Sequence, residues 1–152
     1  MPQPTKSPYV EVRASRIHGT GIYAKLAIPE GTRIIKYTGT RVTKREAERI
    51  GAREAEGCVY LFELNRRFDI NGNVRWNTAR HINHSCDPNC ESINYGDCIW
   101  LHAVRDIAPG EELTYDYCFA SGDLTDHLCR CGAANCRGYI VREDLVPTLP
   151  AR

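Results

Sequence analysis

A chain of 152 residues with 20 Lys plus Arg against 19 Asp plus Glu carries a formal charge of +1. That length gives room for one compact domain, and the balance excludes a broad basic field, so no direct nucleic-acid binding is expected. No stretch is long and apolar enough to span a bilayer, and the N-terminus leads into no uninterrupted apolar signal segment, so no membrane partner is expected.

The setting these features favour is cytoplasmic or nuclear, with delivery into a host cell an option for a pathogen's protein. Eight cysteines would suit a disulfide scaffold. The missing leader and the Cys129-Arg130-Cys131 pair argue instead for reduced thiols.

In chain order, residues 1–8 contain three prolines and read as a flexible, extended N-terminal arm. Residues 9–13 form a first strand, the turn His18-Gly19-Thr20-Gly21 follows, and Ile22, Tyr23 and Ala24 form a second strand. Pro29-Glu30-Gly31 supplies a turn before the β-branched strand 33–37, which ends at Thr38-Gly39. A helix starts near Thr43 with Glu46 as its capping-box partner. Its charged run predicts a mostly solvated helix.

Residues 59–64 and 68–70 are strand-like, with Asn71-Gly72 as a turn, and a hairpin is expected there. Residues 90–93 and 98–104 read as two more strands around Asn94-Tyr95-Gly96-Asp97, and Pro109-Gly110 closes that region. Many short strands with one or two brief helices, and no strand-helix alternation, predict a mainly β fold.

Several segments could carry chemistry. The glycines of His18-Gly19-Thr20-Gly21 would let backbone approach a ligand, although a plain turn explains them equally well. Tyr37, Tyr60, Tyr115 and Tyr117 offer aromatic walls with polar handles, or else a packed aromatic cluster. Cys86, Cys129, Cys131 and Cys136 form the most economical zinc set, a closed four-thiolate site tying mid-chain to C-terminus. Cys90 competes with Cys86 on spacing. A Cys86 nucleophile paired with His84 lacks an orienting third group.

Taken together, five ordered motifs resemble those of SET-domain protein-lysine methyltransferases with a C-terminal post-SET zinc segment, over residues 9–140. They are His18-Gly19-Thr20-Gly21, then Tyr37-Thr38-Gly39, then Arg80-His81-Ile82-Asn83-His84-Ser85-Cys86-Asp87-Pro88-Asn89. Next come Gly110-Glu111-Glu112-Leu113-Thr114-Tyr115-Asp116-Tyr117 and Cys129-Arg130-Cys131-Gly132 through Cys136-Arg137-Gly138.

The resemblance implies a SET domain over 9–118, a post-SET zinc segment over 119–140 and a tail over 141–152. It further implies several short sheets around a pseudoknot-like core. S-adenosylmethionine would be held by His18, Gly19, Thr20, Gly21, Tyr60, Arg80, Asn83 and His84, and Zn2+ by Cys86, Cys129, Cys131 and Cys136. By the same resemblance Tyr117 is the catalytic tyrosine. Tyr115 occupies the position limiting methylation to mono- or dimethyl products, with Tyr37 and Tyr60 packing around it. His81 stands where family members often place an aromatic residue, and Trp76 lies in an enlarged approach to the motif.

The implied partner is a lysine-containing protein or peptide, a histone tail or histone-like basic protein. A nonhistone substrate, or a zinc-stabilised peptide-binding module without turnover, is the alternative.

Overall fold

The computed structural model describes residues 2–53, 60–120 and 124–150. Val59, which the sequence reading includes in a strand, lies outside them. Strands β1 (Val10–Ala14) and β2 (Thr20–Ala24) pair antiparallel. Gly19, at φ 47° in the turn between them, holds a left-handed conformation that costs other residues more.

Strand β3 (Arg33–Tyr37) buries both Ile34 and Ile35, which a regular period of two would place on opposite faces. A register shift between Arg33 and Ile35 explains this, because the irregularity turns consecutive side chains inward. Strand β4 (Thr40–Thr43), which the sequence reading did not anticipate, runs directly into helix α1 (Lys44–Gly51). Thr43 ends the strand and caps the helix: its hydroxyl accepts from the Glu46 N–H while the Glu46 carboxylate accepts from the Thr43 N–H, the expected capping box.

Strands β5 (Leu61–Glu63) and β6 (Phe68–Asn71) pair antiparallel, and β4 joins the far edge of β6. The chain therefore reverses at residues 64–67, while Asn71 is the last paired residue of β6 and the Gly72 N–H still donates to the Tyr60 carbonyl, so Asn71-Gly72 is not the hairpin turn. At Gly39 a Cβ would strike the Asn71 backbone, so glycine permits this close crossing.

A short 3-10 helix, Thr78–His81, precedes β7 (Asn83–His84). Strands β8 (Cys90–Asn94) and β9 (Ile99–Ala103) form the second three-stranded sheet, with β9 in its centre beside β3. Ile99, Leu101 and Ala103 point inward and Trp100 and His102 outward, the period-two pattern of a half-buried strand. The last strand, β10 (Thr114–Tyr115), lies parallel to β7, with Thr114 opposite Asn83 and Tyr115 opposite His84.

The core joins these pieces through Ile22, Ile28, Ile35, Ile82, Ile99, Leu101, Ile107 and Leu113, all 1% exposed or less. Each such side chain contributes about 1.5–3 kcal/mol on burial. Thr5 of the N-terminal arm is fastened to the Trp76 carbonyl by its N–H (2.8 Å) and hydroxyl (2.9 Å). After β10 the chain returns on itself: the Cys129 N–H donates to Gly138 and the Ile140 N–H to His127. A 3-10 helix, Glu143–Thr148, occupies the C-terminal tail. Among the described residues no helix is long and apolar enough to cross a membrane. The architecture is mainly β, with several short sheets and short helices, as the sequence predicts.

Candidate functional site

The parallel pairing of β7 with β10 brings two distant motifs side by side, and the Asn83 side chain fixes a third. Its amide nitrogen lies 3.1 Å from the His18 carbonyl, 3.1 Å from the Thr20 carbonyl and 2.9 Å from the Glu112 carboxylate. Glu112 also accepts from the Ser15 hydroxyl (2.6 Å) and the Tyr23 hydroxyl (3.0 Å). The His18–Gly21 turn is thus latched to the centre of the fold through Asn83 and Glu112. Sequence reasoning gave Glu112 no role; it lies within the Gly110–Tyr117 motif but has no distinguishing pattern of its own.

Beside this latch lies a cavity of about 280 Å³. It is lined by Ile17, His18, Asn83, His84, Tyr117 and Phe119, and by Asp126, His127, Leu128, Cys129, Arg130, Cys131 and Ile140 of the C-terminal segment. The Phe119 and His127 ring centroids are 4.7 Å apart, and the buried His127 Nδ1 has no hydrogen-bond partner among the described residues. Apolar Ile17, Phe119, Leu128 and Ile140 beside polar Asn83, Asp126 and Arg130 suit a nucleoside, which needs a slot for its base and a few polar groups. The donor set therefore fits the S-adenosylmethionine that the motifs imply.

From this cavity a row of aromatic rings runs into the fold. Ring centroids are separated by 4.7 Å from His127 to Phe119, 5.6 Å to Tyr117, 4.7 Å to Tyr115, 5.8 Å to Phe62 and 4.6 Å to Tyr37. Tyr117 stands where the cavity meets the row. Its hydroxyl donates to the Ile82 carbonyl at 2.6 Å, and its N–H donates to His84 Nδ1 at 3.1 Å. Burial pushes the Tyr115 phenol well above the ordinary tyrosine range, so it remains a neutral hydrogen-bonding group. Burial also pushes the His84 imidazole down to about 4, opposed by Asp116 and assisted by Arg137. That ring is neutral at ordinary pH.

Behind His84 the Sγ atoms of Cys86, Cys129, Cys131 and Cys136 all lie within 4.8 Å of one another, with Cys86 and Cys129 at 3.8 Å. Zinc–sulfur bonds of about 2.3 Å place tetrahedral sulfurs about 3.8 Å apart, so the four thiols fit a closed structural zinc site. Burial raises the Cys86 and Cys129 thiols. It would raise Cys131 too, but main-chain hydrogen bonds from Cys86 and Ala133 and the adjacent thiols bring that group down to about 7. Cys90, the competing ligand, is 1% exposed, its thiol pushed up to about 12 by burial. It is not part of the cluster.

Other residues named from sequence lie outside the cavity lining. Gly19, Thr20 and Gly21 belong to the latched turn, and only the Thr20 carbonyl meets Asn83. Arg80 reaches Asn73 at 3.3 Å. Tyr60 contributes its carbonyl, which accepts from the Tyr37 hydroxyl at 2.9 Å. Phe62, Phe119, Asp116, His127 and Arg137 were missed. Asp116 and Arg137 pair at 2.6 Å across the junction of β10 and the cysteine segment.

The SET domain family model matches residues 19–118. The chain is 38% identical over 143 residues to the Histone-lysine N-methyltransferase trithorax of Drosophila virilis, covering 90% of this chain and 4% of that protein. It is 37% identical over 144 residues to the Histone-lysine N-methyltransferase 2B of Homo sapiens, covering 90% and 5%. To the Histone-lysine N-methyltransferase, H3 lysine-4 specific, of Saccharomyces cerevisiae it is 40% identical over 144 residues, covering 89% and 13%. The chain thus spans a small fraction of the length of the curated relatives it matches.

Proposed function

The chain belongs to the SET-domain family of protein-lysine methyltransferases, and from that premise we propose that it transfers methyl groups from S-adenosylmethionine to lysine in a histone or histone-like basic protein, giving mainly mono- and dimethyl products. The observation carrying this reading is the position of Tyr117, which lines the cavity on one side and packs on Tyr115, Phe62 and Tyr37 through the aromatic row on the other. A donor in the cavity and a lysine side chain in the row would meet at that residue.

When bound, S-adenosylmethionine supplies an electrophilic methyl on a sulfonium. The protein's part is alignment and desolvation. The Tyr117 hydroxyl spends its proton on Ile82, leaving oxygen lone pairs to face developing positive charge at the junction. The lysine amine ordinarily titrates near ~10.4; the surrounding aromatic rings would withdraw water from its charged form and favour the neutral nucleophile. No dedicated base is required: the neutral His84 is already committed to the Tyr117 N–H. Holding the amine and donor in line supplies much of the rate. Tyr115, buried between Phe62 and Tyr117, restricts the space into which a methylated amine must rotate.

The four thiols would hold zinc as a closed structural centre, which supplies folding energy and leaves no open position for substrate. The test is to incubate the zinc-loaded protein with S-adenosylmethionine and a panel of histones, other basic proteins and lysine peptides, and to locate added methyl groups by mass spectrometry. Methyl groups on lysine are expected; donor binding without transfer to any member would overturn the enzymatic reading.

A further inference from the structure

His84 is 3% exposed and touches both the thiol cluster and the cavity. Its Nδ1 lies 3.1 Å from the Tyr117 main-chain nitrogen, which can only donate. Nδ1 must therefore be the bare, accepting nitrogen. In a neutral imidazole the proton then sits on Nε2, and Nε2 lies 3.4 Å from Cys86 Sγ.

The Asp116 carboxylate does not upset this assignment. At 3.6 Å from Nδ1 it is beyond hydrogen-bond distance, and its oxygens are engaged by the Cys118 N–H at 2.9 Å and by Arg137 Nη2 at 2.6 Å. Cys86 Sγ also accepts from the Arg137 N–H at 3.4 Å. Two N–H groups thus converge on the sulfur, where they would stabilise the negative charge that metal binding leaves on it.

We infer that His84 is a positioning residue linking the metal-binding thiols to Tyr117. Its Nε2–H donates to the metal-bound Cys86 thiolate, which fixes the ring's tautomer and orientation. Its Nδ1 thereby holds the Tyr117 N–H, and with it the ring at which the cavity meets the aromatic row. Loading of the four-thiol site is then felt at the junction through one imidazole. This inference rests on the reading of Tyr117 and the cavity given above.

Two side chains each reproduce half of the ring. Asparagine places an accepting oxygen near the Nδ1 position and nothing at the thiolate; glutamine places an amide donor near the Nε2 position and nothing at Tyr117. On zinc-loaded protein, long-range proton–nitrogen spectra of labelled histidine read the tautomer directly, and Nε2–H is expected for His84. His84→Asn should lower zinc affinity, measured by chelator competition, by about 10–100-fold while the Tyr117 amide stays protected from hydrogen exchange. His84→Gln should retain zinc and lose that protection.

An Nδ1–H tautomer in the wild type overturns the inference, as do two variants that behave alike. Because the tautomer is read on the wild type, misfolded variants leave a decision in hand. Failure of the wild type to bind S-adenosylmethionine in calorimetry would defeat the donor-site reading, whereas tautomer, zinc retention and amide exchange would still decide the role of His84.

Discussion

Asn83 and Glu112 meet side chain to side chain, amide nitrogen to carboxylate oxygen at 2.9 Å, and between them they hold the His18–Gly21 turn against the paired strands β7 and β10. The carboxylate is the common acceptor for Asn83, Ser15 and Tyr23.

Replacing Glu112 by alanine strands the Ser15 hydroxyl, whereas the Asn83 amide keeps the His18 and Thr20 carbonyls and the Tyr23 hydroxyl keeps the Ala14 carbonyl. Removal of a partly buried acceptor costs about 1–3 kcal/mol for each group stranded. Chemical denaturation should show a clear loss of stability, and calorimetry should show weaker S-adenosylmethionine binding, since the turn lining the cavity is released. Unchanged donor affinity in a destabilised variant would confine Glu112 to a folding role.

Tyr117→Phe removes the hydroxyl at the junction but keeps the ring between Tyr115 and Phe119. Turnover should fall about 10²-fold or more, the scale of losing one preorganised electrostatic group. The donor dissociation constant should change far less. Equal losses in both would point to collapse of the site instead.

Tyr115→Phe opens space and removes a neutral phenol at a buried position. At matched turnover, mass spectrometry should find the products shifted toward higher methylation states. An unchanged product distribution would remove Tyr115 from product control.

Metal analysis after gentle purification should find about one zinc per chain. Cys86→Ala should lose it and Cys90→Ala should keep it, because only Cys86 lies with Cys129, Cys131 and Cys136. Chelation should lower the melting temperature, with the loss concentrated in the segment after Tyr117 and visible as faster amide exchange there.

Arg105 holds the Glu111 carboxyl below the usual carboxylate range, aided by the Ala108 N–H and Asn89 against the opposing effect of burial. A depressed folded-state value means that the contribution is complete above the unfolded value, near ~4.3, and is lost as pH falls through the folded one. The stability gap between wild type and Glu111→Gln should therefore be open near pH ~7 and close below pH ~4. A gap independent of pH would show that the carboxylate charge contributes nothing.

Much of the site could be read in the chain because its chemistry sits in contiguous runs. Asn83, His84 and Cys86 lie within four positions, and Tyr115 and Tyr117 within three. Strand β3, the Thr43 capping box and the alternation of β9 followed from local rules of propensity and period. Strand β4 escaped notice because its four residues, only one of them buried, carry no strong pattern. Spacing left Cys86 and Cys90 equivalent as zinc ligands, since four residues in a loop followed by a strand give no direction.

The kind of protein was legible in the chain: ordered motifs, four candidate thiols and a mainly β pattern are properties of residue identity and spacing. Which groups act together followed from the way the chain folds back on itself. Parallel pairing of β7 with β10 set His84 beside Tyr117, and return of the C-terminal segment brought Phe119, His127 and Arg137 to the cavity and the thiols. Those contacts join residues tens of positions apart, so no local rule of helix, strand or turn encodes them. They exist because burying one core forces the segments together, and the polar groups carried inward must then satisfy one another.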